Sequence, residues 1–236
     1  MAEQLVQWLQ DRVAEAGCRG AVFGLSGGVD SAVVAGLARR AFGAQALGVI
    51  MPCHSDPEDE EHALLCAQAL DLSVETVDLT ATFDTLCHTL AVPDAAPRLA
   101  VANIKPRLRM TVLNYFAALH RYLVLGGTNR AELVIGYFTK HGDSGVDLMP
   151  IANLVKGQVR DLAAYLGVPD VIINKAPSAG LWPGQTDEGE MGMTYGQLDR
   201  YLLTGEAEPH IREKVENLKR GSAHKRGFPA IPSINI

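Results

Sequence analysis

Ala21-Val22-Phe23-Gly24-Leu25-Ser26-Gly27-Gly28-Val29-Asp30-Ser31 carries an apolar run into a glycine turn. Ala32 to Ala38 follows, dense in small apolar side chains, and reads as a helix. Strand, glycine turn and helix start together make an anion site. First-turn N–H groups have no partner inside the helix, and the dipole favours negative charge there. Gly27 and Gly28 are expected to supply positive φ angles and to let the backbone approach a phosphate without a Cβ in the way. Ser26 and Ser31 add hydroxyls. Asp30 suits such a loop only if a cation sits between its carboxylate and the phosphate, so the loop points to Mg²⁺.

Outward from this loop the chain keeps alternating. Ala46 to Met51 is a continuous apolar run, as in a strand buried on both faces. Asp56-Pro57 opens a helix with Glu58, Asp59, Glu60 and Glu61 in its first turn, the sign the dipole prefers. Leu72 to Val77 is a third strand, and Tyr122 to Gly127 a fourth strand ending in a second glycine turn. Between them Ile104, Leu108, Val112 and Phe116 recur at helical spacing; Pro106 is tolerable only near a helix start, so Asn103 is the expected N-cap. Leu5, Val6, Leu9 and Val13 mark an N-terminal helix. The alternation implies an α/β fold, a Rossmann-like doubly wound parallel sheet whose ligands bind outside the carboxyl ends of the strands. No repeat divides residues 1–236, which read as a single domain. Residues 178–193 are expected to be a mobile loop, a Leu- and charge-rich helix follows, and 227–236 form an irregular tail.

Hydrophobic residues make up 47% of the 236, enough for a sizeable core, and the net charge of −6 argues against a general nucleic-acid or membrane-surface binder. A polyanionic ligand must then meet basic residues placed locally. Cys18, Cys53, Cys66 and Cys87 form no C-x-x-C pair and no zinc spacing, and without a signal peptide they read as reduced thiols of a cytoplasmic protein. Cys53-His54 is a poor catalytic dyad, because neighbours in an extended chain point to opposite faces. No stretch reaches the roughly 20 apolar residues that span a bilayer.

The loop has neither the Gly-Lys-Ser/Thr end of Walker A nor G-x-G-x-x-G. It resembles the loop of the ATP pyrophosphatases, which split ATP between its α and β phosphates. Further segments narrow the resemblance: Asn103-Ile104-Lys105-Pro106-Arg107-Leu108-Arg109, Gly126-Gly127-Thr128-Asn129-Arg130-Ala131-Glu132, Phe138-Thr139-Lys140-His141-Gly142-Asp143, Asp147-Leu148, Lys156 and His224-Lys225-Arg226. In order and spacing, from about residue 20 to 229, these are similar to the ammonia-dependent NAD synthetases.

That resemblance implies a fold of the adenine-nucleotide α-hydrolase type and a set of roles. Asp30 and Glu132 become Mg²⁺ carboxylates, while Gly24, Leu25, Ser26, Gly27, Gly28, Val29, Asp30 and Ser31 receive ATP together with Thr128, Lys156 and Ser178. Arg107, Lys140, Asp147, His224 and Lys225 match positions that hold deamido-NAD, and Asp143 lies near the expected ammonia site, where it orients or deprotonates the nucleophile. The chain departs from the family where Gly126-Gly127 replaces the usual Gly-Thr, so the ATP threonine is either moved to Thr128 or absent; Ser178 replaces a common threonine and Pro106 an alanine. The implied reaction is ATP-dependent amidation of deamido-NAD by ammonia through an adenylate, giving NAD, AMP and pyrophosphate, by a homodimer. Free ammonia is the expected donor, since neither terminus leaves room for a glutaminase. The alternatives are another ATP pyrophosphatase (a GMP-synthetase-like amidase or a sulfur-inserting enzyme) or a non-catalytic nucleotide-binding module. Scattered cysteines speak against sulfur insertion, and the presence of both Asp30 and Glu132 speaks against a module that binds without cleaving.

Overall fold

The computed structural model describes residues 1–182 and 184–232. Four parallel strands, β1 (Gly20–Gly24), β2 (Ala46–Ile50), β3 (Ser73–Thr76) and β4 (Tyr122–Leu125), lie in the order β3-β2-β1-β4. The helices are α1 (Ala2–Glu15), α2 (Val29–Phe42), α3 (Pro57–Ala69), α4 (Thr80–Thr89), α5 (Arg98–Ala102), α6 (Ile104–His120), α7 (Arg130–Ile135), α8 (Lys156–Leu166), α9 (Asp170–Ile173), α10 (Asp187–Met191), α11 (Tyr195–Thr204) and α12 (Pro209–Gly221). The chain steps from β1 to β3 in one direction, then returns to add β4 on the other side of β1. That reversal is the switch point at which open α/β sheets bind ligands. Because Phe23 is level with Leu125, the two glycine turns leave the sheet side by side.

Burial on both faces explains the unbroken apolar strands. Ala21 and Phe23 point into a core built with α1, α2 and α8, whereas Val22 and Val49 point into the opposite core with α6. Each buried side chain of the Val, Leu or Phe class contributes about 1.5–3 kcal/mol, so a polar residue at any of these positions is costly. Gly36 lets α8 close on α2, since a Cβ there would lie 3.1 Å from Leu166 Cδ1. A satellite core joins α7, α10, α11 and α12 through Ala131, Ile135, Met191, Leu198 and Val215.

The α3 start is as read: Asp56 accepts from Glu58 N at 3.0 Å, with Pro57 in the first turn. Other expectations are corrected. Asn103 does precede α6, but α5 runs into it with helical angles, so its side chain caps nothing; its Oδ1 accepts from Thr139 Oγ1 at 2.7 Å. Residues 178–193 are not loop throughout, because Thr186 caps the short helix α10. The Leu- and charge-rich helix is two helices, broken at Gly205 with φ +75°. Residues 227–232 form no helix or strand, while Pro183 and 233–236 of the two flagged segments lie outside the described residues. Among the described residues no helix is long and apolar enough to cross a membrane. All four cysteines are free thiols; Cys53 is buried and His54 turns away to Asp84 Oδ1 at 2.7 Å.

Candidate functional site

A groove of about 600 Å³ opens at the carboxyl ends of β1, β2 and β4. Its floor is the β1–α2 loop. Gly27 has φ +76°, and a Cβ there would lie 2.2 Å from Asp59 O, so only glycine fits. Gly28, expected to share that conformation, is instead extended (φ −96°, ψ 158°), and a Cβ there meets only Ser26 Oγ at 3.5 Å. The protein leaves that space free on the groove side. Ser31 closes the loop on itself, accepting from Ser26 N at 3.2 Å and donating to Gly28 O at 2.9 Å, while Ser26 stays exposed.

Where β1 and β4 diverge, the two expected carboxylates come together. Asn129 caps α7 in a capping box with Glu132, and its Nδ2 reaches both Glu132 Oε1 (2.7 Å) and Asp30 Oδ1 (3.1 Å). Lys156, only 2% exposed in the first turn of α8, pairs its ammonium with Asp30. Burial works against that ammonium, but Asp30 and Glu132 outweigh it, and the lysine pKa is raised. Glu132 is pushed up to about 8 by burial first and by Asp30 second, with Lys156 opposing. Asp187 is raised as well, again mainly by burial. Three carboxylates thus share one lysine, and the excess of hard oxygen donors suits a divalent cation. Among the described residues no three metal-ligating side chains form a cage of their own. Mg²⁺ commonly binds this way, taking one or two carboxylates and completing its shell with phosphates and water.

Gly24, Leu25, Ser26, Gly28, Val29, Asp30, Ser31, Thr128, Glu132, Asp143, Lys156, Ser178 and Lys225 line the groove. Asp143 accepts from Thr139 N at 2.8 Å, and the protein crowded around its carboxyl raises its pKa despite that bond. Lys225 Nζ donates to Gly136 O and Phe138 O at 2.8 and 2.9 Å. Five expected residues lie off the lining, Gly27 of the loop and four others. Arg107 donates to Lys140 O at 3.2 Å and Lys140 to His224 O at 2.9 Å, a cluster just outside the wall, and Asp147 accepts from Val124 N at 2.8 Å. Thr128 is 4% exposed at the lining, and Gly127 beside it has room for a Cβ, its nearest neighbour being Ser31 N at 3.7 Å.

Among residues to which the sequence reading gave no role, Arg109, Tyr137 and Asp187 line the groove, and Asn129 and Tyr195 are buried behind it against its carboxylates. Asn129-x-x-Glu132 carried a usable signal, the capping-box spacing. Asp187 and Tyr195 lie far from the loop in sequence and meet it only through the satellite core. A second cleft of about 630 Å³ lies behind Gly136 and Lys225, beside His210 and Lys214; it is wide open and has no carboxylate pair.

The chain matches the NAD synthase family model over residues 1–229. It is 54% identical over 234 residues to an NH(3)-dependent NAD(+) synthetase of Carboxydothermus hydrogenoformans, covering 98% of this chain and 96% of that protein. Among solved structures it is similar to an NMN synthetase from Francisella tularensis (TM-score 0.94, 36% identity, 99% and 97% of the two chains). It is also similar to an NH3-dependent NAD synthetase from Campylobacter jejuni (TM-score 0.81, 28% identity, 98% and 97%).

Proposed function

This chain belongs to the NAD synthase family, and we infer that its groove carries out the ATP-dependent amidation of deamido-NAD by ammonia. The observation that carries this reading is the meeting of Asp30, Glu132 and Lys156 beside the glycine loop, at the switch point of the sheet. Carboxylates are poor electrophiles, so the nicotinate group must be activated before an amine can displace anything from it. In this proposal the nicotinate oxygen attacks the α-phosphorus of ATP, pyrophosphate leaves into the Ser26–Ser31 loop, and ammonia then displaces AMP.

The chain supplies position and charge rather than a covalent group. First-turn N–H groups of α2 and the space beside Gly28 receive the leaving phosphates, and Ser26 offers a hydroxyl. Lys156 supplies the positive charge that the loop lacks. Asp30 and Glu132 are proposed to hold Mg²⁺, which neutralises charge on the phosphates when bound. Asp143 is assigned to the ammonia side, where a buried carboxyl can orient the incoming nucleophile or take a proton from it. Thr128 and Ser178 are assigned to ATP. Arg107, Lys140, Asp147, His224 and Lys225 are assigned to the dinucleotide, with all but Lys225 at its outer end. A homodimer in the cytoplasm completes the proposal. Incubation with ATP, Mg²⁺, deamido-NAD and ammonium should give NAD and AMP in equal amounts, and failure to form AMP would refute it.

One observation favours a second reading. The NMN synthetase fold superposes at TM-score 0.94, against 0.81 for the Campylobacter NAD synthetase. Amidation of nicotinate mononucleotide is the same chemistry on half the substrate, and it dispenses with any grip on the far nucleotide. The ratio of kcat/KM for deamido-NAD over nicotinate mononucleotide decides between them. Under the first reading Lys140→Ala and Arg107→Ala lower that ratio; under the second they leave it unchanged.

A further inference from the structure

We propose that Tyr195 is a positioning residue for this reaction: its hydroxyl holds Glu132, and its ring holds Lys156, in register with each other. The inference rests on the reading of Glu132 as a cation-binding carboxylate. Its local basis is the α10–α11 turn. Thr186 caps α10, Gly192 with φ +61° reverses the chain, and Thr194 opens α11 with a capping box to Gln197. The turn is fastened by Tyr195 N donating to Glu188 Oε1 at 2.8 Å. It brings Tyr195 and Asp187, eight residues apart, to the same side of the carboxylate pair.

Tyr195 is 3% exposed. A buried phenol ordinarily finds one acceptor and is satisfied. Here the hydroxyl lies 3.1 Å from Glu132 Oε1 and 2.9 Å from Asp187 Oδ2, so both its neighbours are carboxylates. Asp187 is held in turn by Tyr137, whose hydroxyl lies 3.1 Å from Asp187 Oδ1 and also meets Glu190. On the other side of Tyr195, Lys156 Nζ sits 4.8 Å from the ring centroid, a cation–π distance. Glu132 therefore has two fixed partners besides the cation it is proposed to hold, Asn129 and Tyr195, and Lys156 has two walls, Asp30 and the ring. Groups that orient a metal carboxylate in this way typically change metal affinity by about 10–100-fold when removed.

Tyr195→Phe keeps the ring and deletes the hydroxyl; Tyr195→Leu deletes both. Mn²⁺ affinity is measured by electron paramagnetic resonance with an ATP analogue that cannot be cleaved between the α and β phosphates. Tyr195→Phe should weaken Mn²⁺ about tenfold, with KM for deamido-NAD unchanged, and Tyr195→Leu should in addition raise KM for ATP. Tyr201→Phe deletes a hydroxyl on the same helix that serves Glu216 at 3.0 Å, and should bind Mn²⁺ as the unaltered protein does. In the unaltered protein, Mn²⁺ should also perturb tyrosine difference absorbance with the same midpoint, a signal that needs no variant to fold. Unchanged Mn²⁺ affinity in Tyr195→Phe, or no tyrosine signal on Mn²⁺ addition, overturns the inference. Glu132→Gln separates the two layers. If it weakens Mn²⁺ while Tyr195→Phe does not, only the positioning role falls; if it too leaves Mn²⁺ binding intact, the cation reading falls first.

Discussion

Charge imbalance at Asp30, Glu132, Asp187 and Lys156 makes opposite predictions for two variants that should both be inactive. Lys156→Met keeps the buried volume and removes the one cation among three carboxylates. Breaking a buried pair by deleting one partner typically costs about 3–5 kcal/mol. For a chain of this size each kcal/mol moves Tm by about 2–4 °C, so the loss should be roughly 6–20 °C. Asp30→Asn also breaks the pair, yet it leaves Lys156 facing Glu132 and Asp187 and removes surplus negative charge. An asparagine oxygen still accepts from Asn129 Nδ2, so its Tm should stay within about 1 kcal/mol, or 2–4 °C, of the unaltered protein. Its turnover should fall about 10²–10³-fold, the usual loss when one charge-stabilising contact is removed from such a site. Thermal melts in EDTA at pH 7.5, with AMP formation assayed in parallel, test both arms. If Asp30→Asn melts as low as Lys156→Met, the cluster is an ordinary balanced ion pair and the argument for excess donors is wrong.

Other outcomes follow from single positions. Glu132, raised from 4.5 to about 8, keeps a proton in the folded protein that the unfolded chain releases; its contribution is complete below pH 4.5 and is lost as pH rises through 8. Metal-free protein should therefore lose Tm across that window relative to Glu132→Gln, and parallel curves for the two would contradict it. Gly27→Ala should fail to fold or melt far lower, since its Cβ meets Asp59 O, whereas Gly28→Ala should keep its Tm and raise KM for ATP. Equal Tm losses would show that both glycines serve the fold alone. Gly127→Thr, filling space that the family usually gives to a threonine, should keep its Tm and lower KM for ATP; an unchanged KM would mean that Thr128 already does the work. Asp143→Asn should raise the ammonium needed for half-maximal rate most at low pH, and a pH-independent effect would remove it from the ammonia side.

What could be read from the sequence divides by the range of the forces involved. Strands β1, β2 and β4 were legible because burial on both faces demands unbroken apolar runs, and the glycine loop because its chemistry is contiguous along the chain. Asn103 was placed at a helix start but given the wrong task. Capping is a local rule, and the pull on its side chain comes from Thr139, thirty-six residues away. Gly28 failed for a related reason: composition cannot say which of two adjacent glycines takes the positive φ, and only the carbonyl of Asp59 on a neighbouring helix settles that it is Gly27. Asp187 and Tyr195 were invisible because their partners belong to β1–α2, α7 and α8, brought together by a satellite core rather than by spacing. The part of the site proposed to receive the phosphates is thus written locally, as glycine, serine and aspartate. The part that orients it is written in long-range packing. Variants that disturb Met191 or Leu198 without touching the groove should then weaken divalent-metal binding more than they weaken deamido-NAD binding, because α10 and α11 hold Tyr195 against Glu132. Equal weakening of both in Leu198→Ala would show that the satellite core supports the groove as a whole and not its carboxylates in particular.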